Sequence, residues 1–117
     1  MRLRFLSVLF LSIVLDLQAT GQPQSMVLNA FRSKCDPLAT LIQKRTSVTA
    51  VINLKSVERR NGYLDFRFTQ GMGDIPWRKE DLAWLRRTLH EISPAEFAHY
   101  KIGNLYCGRT PLTQLAL

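Results

Sequence analysis

Few residues in this 117-residue chain have chemistry to offer: Cys35 and Cys107, His90 and His99, and the acids Asp74, Glu80 and Asp81. A cysteine beside a histidine would give an activated thiolate nucleophile, but no spacing here recommends pairing either thiol with either ring. Two carboxylates can divide acid and base work in hydrolysis. Asp81, however, falls in the first turn of an amphipathic helix, where the macrodipole already favours an acid, and Asp74 reads as a loop cap. Gly71-Met72-Gly73-Asp74 lacks the third glycine and the parallel-strand setting of a nucleotide fingerprint, so its glycines read as turn positions. Neither cysteine lies in a CxxC, which leaves a redox motif and a zinc site without support. The expectation is a non-catalytic domain with no metal and no cofactor.

Binding features are stronger. Helical projection sets Trp84 away from the leucine face, beside Glu80, Arg87 and Glu91. Trp77 stands just ahead of that helix, next to Arg78 and Lys79. Tryptophan with arginine is the pairing enriched at interfaces, and an indole also stacks on the apolar face of a sugar ring. Trp77, Arg78, Trp84 and Arg87 are therefore the candidate binding set; the competing reading has the loop at 94–100 covering both indoles. Lys and Arg number 16 against 9 Asp and Glu, a formal charge of +7. That excess suits an anionic partner such as an acidic wall polymer, a membrane surface or nucleic acid, and it also serves solubility. The cations are scattered, in runs no longer than two.

The elements that must position these residues follow a stretch that reads as an export signal. Arg2 and Arg4 precede an apolar stretch at 5–15 that Asp16 ends. It is shorter than the roughly 20 apolar residues a bilayer span needs, so no permanent membrane span is expected. Ala19 and Gly21 fit a signal-peptidase site. Residues 1–21 read as a signal peptide cut after Gly21, with Ala19 the alternative, sending the protein to the periplasm, cell surface or medium. In an oxidising compartment Cys35 and Cys107 can form a disulfide, which over so long a loop stabilises by roughly 4 kcal/mol on the chain-entropy model. Two buried free thiols are the other reading, and the spacing decides nothing.

A hydrophobic fraction of 46% with 21% charged residues marks the remainder as globular rather than disordered. Residues 22–35 read as an N-terminal leader and 36–117 as the domain, in the order α-β-β-α-β. A helix is expected over 26–44, with its firm start at Asp36 as N-cap and Pro37 at the first helical position. Strands follow at 48–58 and 63–69, then a helix over 79–91 whose Leu82, Leu85, Leu89 and Ile92 share one face, then a strand over 100–107. Asn61-Gly62 marks a hairpin. A two-residue turn sets Phe68 against Lys55 and Phe66 against Val57; a three-residue turn sets Phe68 against Leu54. Only the second gathers the strongest apolar set on one face, with Gly62 in the left-handed position of a bulged turn, so it is preferred. Gly62, Asp74 and Pro76 are assigned structural roles. The expected architecture is α+β: a three-stranded, mainly antiparallel sheet in the order 2-1-3, with two helices on one face.

The stretch Gly73-Asp74-Ile75-Pro76-Trp77-Arg78, followed by Asp81-Leu82, Trp84-Leu85-Arg86 and Thr88-Leu89, resembles an N-terminal module of secreted bacterial proteins of the N-acetylmuramoyl-L-alanine amidase and xanthan-lyase-like (golvesin-type) group. More loosely, the pattern from Thr46 to Leu115 is similar to the GerMN module of envelope lipoproteins, with Thr88-Leu89 and Gly108 in the corresponding places. The resemblance implies an accessory module of the cell envelope that binds peptidoglycan or another wall glycan, or that positions an amidase-like partner. It implies no catalytic residues, since those reside in domains that follow in the larger proteins. The chain stops on Leu115-Ala116-Leu117, so a truncated remnant of a secreted hydrolase is an alternative. A basic secreted domain binding anionic polymers by charge alone is the other, with nucleic acid the lesser partner.

Overall fold

Leu64, Phe66 and Phe68 alternate along one strand, and all three are fully buried. In the computed structural model, which describes residues 24–116 with side chains from Met26 onward, this strand is β2 (Tyr63–Phe68), an interior strand of a four-stranded mixed sheet. Its antiparallel neighbour is β1 (Leu54–Arg60) and its parallel neighbour is β3 (Lys101–Cys107); a two-residue β4 (Thr110–Pro111) pairs antiparallel with β3. The order is thus β1-β2-β3-β4, which corrects the expected three-stranded 2-1-3 arrangement. The reason lies in the side chains. β2 has the continuous apolar face that an interior strand needs, whereas β1 carries Lys55, Glu58, Arg59 and Arg60, the charged composition of a protected edge. A parallel neighbour for β2 requires a crossover, and the chain between β2 and β3 supplies one through α3 (Lys79–Glu91).

The hairpin resolves the register question in an unexpected way. Arg60 pairs directly with Tyr63, so the turn is the two-residue Asn61-Gly62, with φ of 44° and 84° at its two positions. Positive φ at both is the signature of a type I′ turn. Val57 therefore faces Phe66, as a two-residue turn demands. A bulge at Lys55 then inserts one extra residue, so Leu54 faces Phe68. Both apolar pairings are satisfied at once, and the three-residue turn is not needed.

The helices pack on the Phe66 side of the sheet. Ahead of α2 (Cys35–Thr46) lies α1 (Gln24–Arg32), within the stretch expected to be a leader. Its Val27 and Phe31 are buried, and the Phe31 ring meets Phe66 edge-on at 5.0 Å. Lys34, not Asp36, is the N-cap of α2, and Pro37 still lies in the first turn, where a missing N–H costs nothing. α3 spans 79–91 as expected, and Leu82, Leu85 and Leu89 are in the core. The expected first strand shortens to Leu54–Arg60, while a short α4 (Leu112–Leu115) closes the described chain with Leu112 buried. The expected signal peptide lies outside the described residues. Among those described, no helix is long and apolar enough to cross a membrane.

Between β2 and α3 a 3-10 turn (Gln70–Asp74) packs tightly on the segment before β1: a Cβ placed on Gly71 would stand 2.2 Å from the Val51 carbonyl oxygen. Backbone on both sides cannot yield easily, so glycine is required there. Gly71→Ala is expected to destabilise the fold by about 1–3 kcal/mol, measured as a lower urea midpoint with unchanged slope.

Candidate functional site

The sheet face opposite the helices is uncovered among the described residues, and its side chains arise from the alternation of β1, β2 and β3. Outward positions hold Ser56, Glu58 and Arg60 on β1, Tyr63, Asp65 and Arg67 on β2, and Lys101, Asn104 and Tyr106 on β3. Two cation–aromatic pairs organise it. The Arg60 guanidinium lies 5.1 Å from the Tyr63 ring centre, and that of Arg67 lies 4.5 Å from Tyr106. Arg67 is further held by donating to the carbonyl of Gly108. Lys55 at the bulge and Arg109 in the β3–β4 turn border a cleft with Ser56, Arg67 and Gly108, of about 630 Å³. Five of these nine outward residues are basic or aromatic, and two, Glu58 and Asp65, are acidic.

One acid lies at its centre. Asp65 is buried (9% exposed) and accepts two hydrogen bonds from Arg60, Nε at 2.9 Å and a second guanidinium nitrogen at 3.2 Å. It also accepts the Asn104 backbone N–H at 2.8 Å. This last bond forms at an irregularity in the β2–β3 register, and a Cβ on Gly103 would stand 2.2 Å from the same carboxylate oxygen. Burial works to raise the Asp65 pKa, but the hydrogen bonds from Arg60 and Asn104 and the nearby positive charges outweigh it and hold the carboxyl below its usual range.

The residues singled out from sequence sit elsewhere. Trp77 is fully buried, and its indole N–H donates to the Met72 carbonyl at 2.8 Å. It is core, which removes it from the expected binding set. Pro76 directs it inward through a tight turn in which the Trp77 N–H meets the Ile75 carbonyl at 2.8 Å. Trp84 is half-buried and covered by Arg45, whose guanidinium lies 5.1 Å from the ring centre. Arg45 in turn donates to Asp81 at 2.7 Å, and Asp81 accepts the Arg78 backbone N–H at 3.2 Å, tying the end of α2 to the start of α3. The two indoles do not form an exposed pair. Arg78 and Arg87 are exposed, as is Asp74, whose side chain makes no hydrogen bond among the described residues.

The cysteines are both free and buried. Cys35 lies at the start of α2, where burial pushes its thiol pKa up, and Cys107 faces the carbonyls of Thr69 and Gln70 at 3.6 Å. No disulfide joins them in this structure. His90 reaches the Ala98 carbonyl at 3.2 Å, and the His99 ring rests on Tyr100 with centres 4.3 Å apart. Neither histidine is brought to a thiol. Among the described residues no group of three potential metal ligands converges.

The open face escaped sequence reading because its members are spread from Lys55 to Arg109. The available signal was the polar side of β2, where Tyr63, Asp65 and Arg67 alternate with the buried apolar residues. Comparison with family models, with curated proteins and with solved structures yields no match.

A carboxylate with a depressed native pKa contributes stability above its unfolded pKa, and that contribution is lost as pH falls through the native value. Asp65→Asn is expected to cost about 1.5–3 kcal/mol at neutral pH, the range for hydrogen bonds to a charged group. The difference from wild type closes below about pH 4, the ordinary aspartate value. Urea unfolding of both proteins at pH 7, 5 and 3 measures this.

Proposed function

We propose that this protein is a non-catalytic binding module of the bacterial cell envelope, whose open sheet face engages an acidic wall glycan. The observation that supports this reading is the uncovered face itself, with Arg60 over Tyr63 and Arg67 over Tyr106. Arginines supply charge-assisted hydrogen bonds to carboxylates and phosphates, while tyrosine rings offer flat apolar surface to sugar rings. A stacked guanidinium has fewer orientations to lose on binding, because its plane is already set. The N-terminal export signal read from the sequence supplies the compartment, and the resemblance to modules that accompany wall amidases supplies the ligand class. Trp84, covered by Arg45, offers less to a glycan than the tyrosines do.

Co-sedimentation of the purified protein with peptidoglycan sacculi, at low and high salt, tests the proposal. Pelleting is expected at low salt and weakens at high salt, because exposed charges are screened. Arg67→Gln and Tyr106→Ala are each expected to weaken binding about fivefold, equivalent to about 1 kcal/mol per stacked pair. Trp84→Ala leaves it nearly unchanged. Pelleting that is insensitive to Arg67 and Tyr106 but abolished by Trp84→Ala would move the site to α3.

A further inference from the structure

The cleft at one end of the open face differs from the rest of it in its charge. Lys55, Arg67 and Arg109 all line it, together with Ser56 and Gly108, and no carboxylate does. Two cations elsewhere have an acid beside them: Arg60 has Asp65, and Arg45 has Asp81. Among the described residues neither Lys55, Arg67 nor Arg109 has an acidic partner within ion-pair distance. Each also reaches the cleft from a different element. Lys55 is the inserted residue of the β1 bulge. Arg67 is fixed by Tyr106 and the Gly108 carbonyl. Arg109 follows Gly108, whose φ of +60° turns the chain from β3 into β4. Three like charges brought to one opening repel one another, and a bound anion relieves that repulsion.

We propose that this cleft is a phosphate subsite, taking a phosphate ester borne on a sugar or polyol chain that runs across the tyrosine face. The inference rests on the glycan-binding reading for the chain, but not for the phosphate itself. A carboxylate carries one charge on two coplanar oxygens, which a single arginine fork satisfies. A phosphate monoester carries up to two charges on three oxygens arranged tetrahedrally. Guanidiniums arriving from β2 and from the β3–β4 turn, with an ammonium from β1, meet such a group from three sides. The Ser56 hydroxyl adds a neutral donor. The cleft volume of about 630 Å³ leaves room for the attached sugar or polyol. The phosphate has two sources in a wall polymer: a monoester at a chain end or a diester within the chain.

Amide chemical-shift titrations of the purified protein test the assignment, using glycerol 1-phosphate, glycerophosphoglycerol and glucuronate at matched ionic strength. Glycerol 1-phosphate is expected to bind saturably and at least tenfold more tightly than glucuronate. Glycerophosphoglycerol binding as tightly as the monoester, despite its single charge, would identify the diester as the source. Lys55→Gln and Arg109→Gln, both at exposed positions outside the core, are each expected to weaken the phosphate esters about fivefold while leaving the circular dichroism spectrum and glucuronate binding unchanged. Glucuronate binding as tightly as the esters would overturn the proposal, as would ester binding indifferent to both substitutions. So would a single-stranded oligonucleotide that binds more tightly than a polyol phosphate polymer of equal phosphate content, since that marks a general polyanion surface. Failure of the esters to bind, with sacculi still pelleting through Tyr106, rejects the subsite and leaves the glycan reading standing. Ester binding without pelleting rejects the glycan reading and keeps the subsite.

Discussion

The carboxylate of Asp65 touches all three long strands: it is carried by β2, held by Arg60 of β1, and accepts the Asn104 N–H of β3. Burying a charge is costly unless it is paired and hydrogen-bonded, and here three donors meet it. The consequences run outward from that point. Gly103 must lack a side chain, because the carboxylate occupies the space where one would start. Arg60 must lie back across the sheet, which brings it over Tyr63. The β3 strand must carry an irregularity opposite Asp65, after which Leu105 and Cys107 regain alignment with Phe66 and Phe68. The apolar side of β2 builds the core, and its polar side organises the face that remains open.

Two bulges therefore do complementary work. The one in β1 lets Val57 and Leu54 both point inward, three residues apart, against Phe66 and Phe68. A regular strand alternates with a period of two and could bury only one of them. The same insertion turns Lys55 outward into the cationic cleft. On the far edge, Arg86 of α3 donates to the carbonyls of Ile102 and Gly103, covering the part of β3 that the two-residue β4 does not reach. Edge protection and the shape of the cleft thus follow from the same local departures from regular pairing.

Much of this was legible beforehand. The leucine periodicity located α3 to the residue, and the alternation of Tyr63 to Phe68 gave β2 its two faces. Asn61-Gly62 marks the hairpin, but regular pairing along both strands leads to the wrong turn, because the register shifts at Lys55. Nothing in the local pattern announces a bulge at Lys55; it is set by the tertiary demand that Leu54 and Val57 share a core. The parallel pairing of β2 with β3 does not follow from a sheet centred on β1, whose four charged residues instead mark an edge. In the sequence Trp77 reads as a binding residue because it stands beside Arg78 and Lys79. The tight turn at Pro76 reverses that expectation by aiming the indole into the core. The residues of the open face come from three strands and a turn, so only the fold collects them.

Under the proposed function, recognition belongs to the open sheet face and not to the tryptophan-bearing helix. Adding a soluble acidic wall oligosaccharide to isotopically labelled protein and following amide chemical shifts tests this most directly. The shifts are expected to cluster on Arg60, Tyr63, Arg67, Lys101 and Tyr106, with those of α3 unmoved. Shifts confined to Arg78, Trp84 and Arg87 would contradict it.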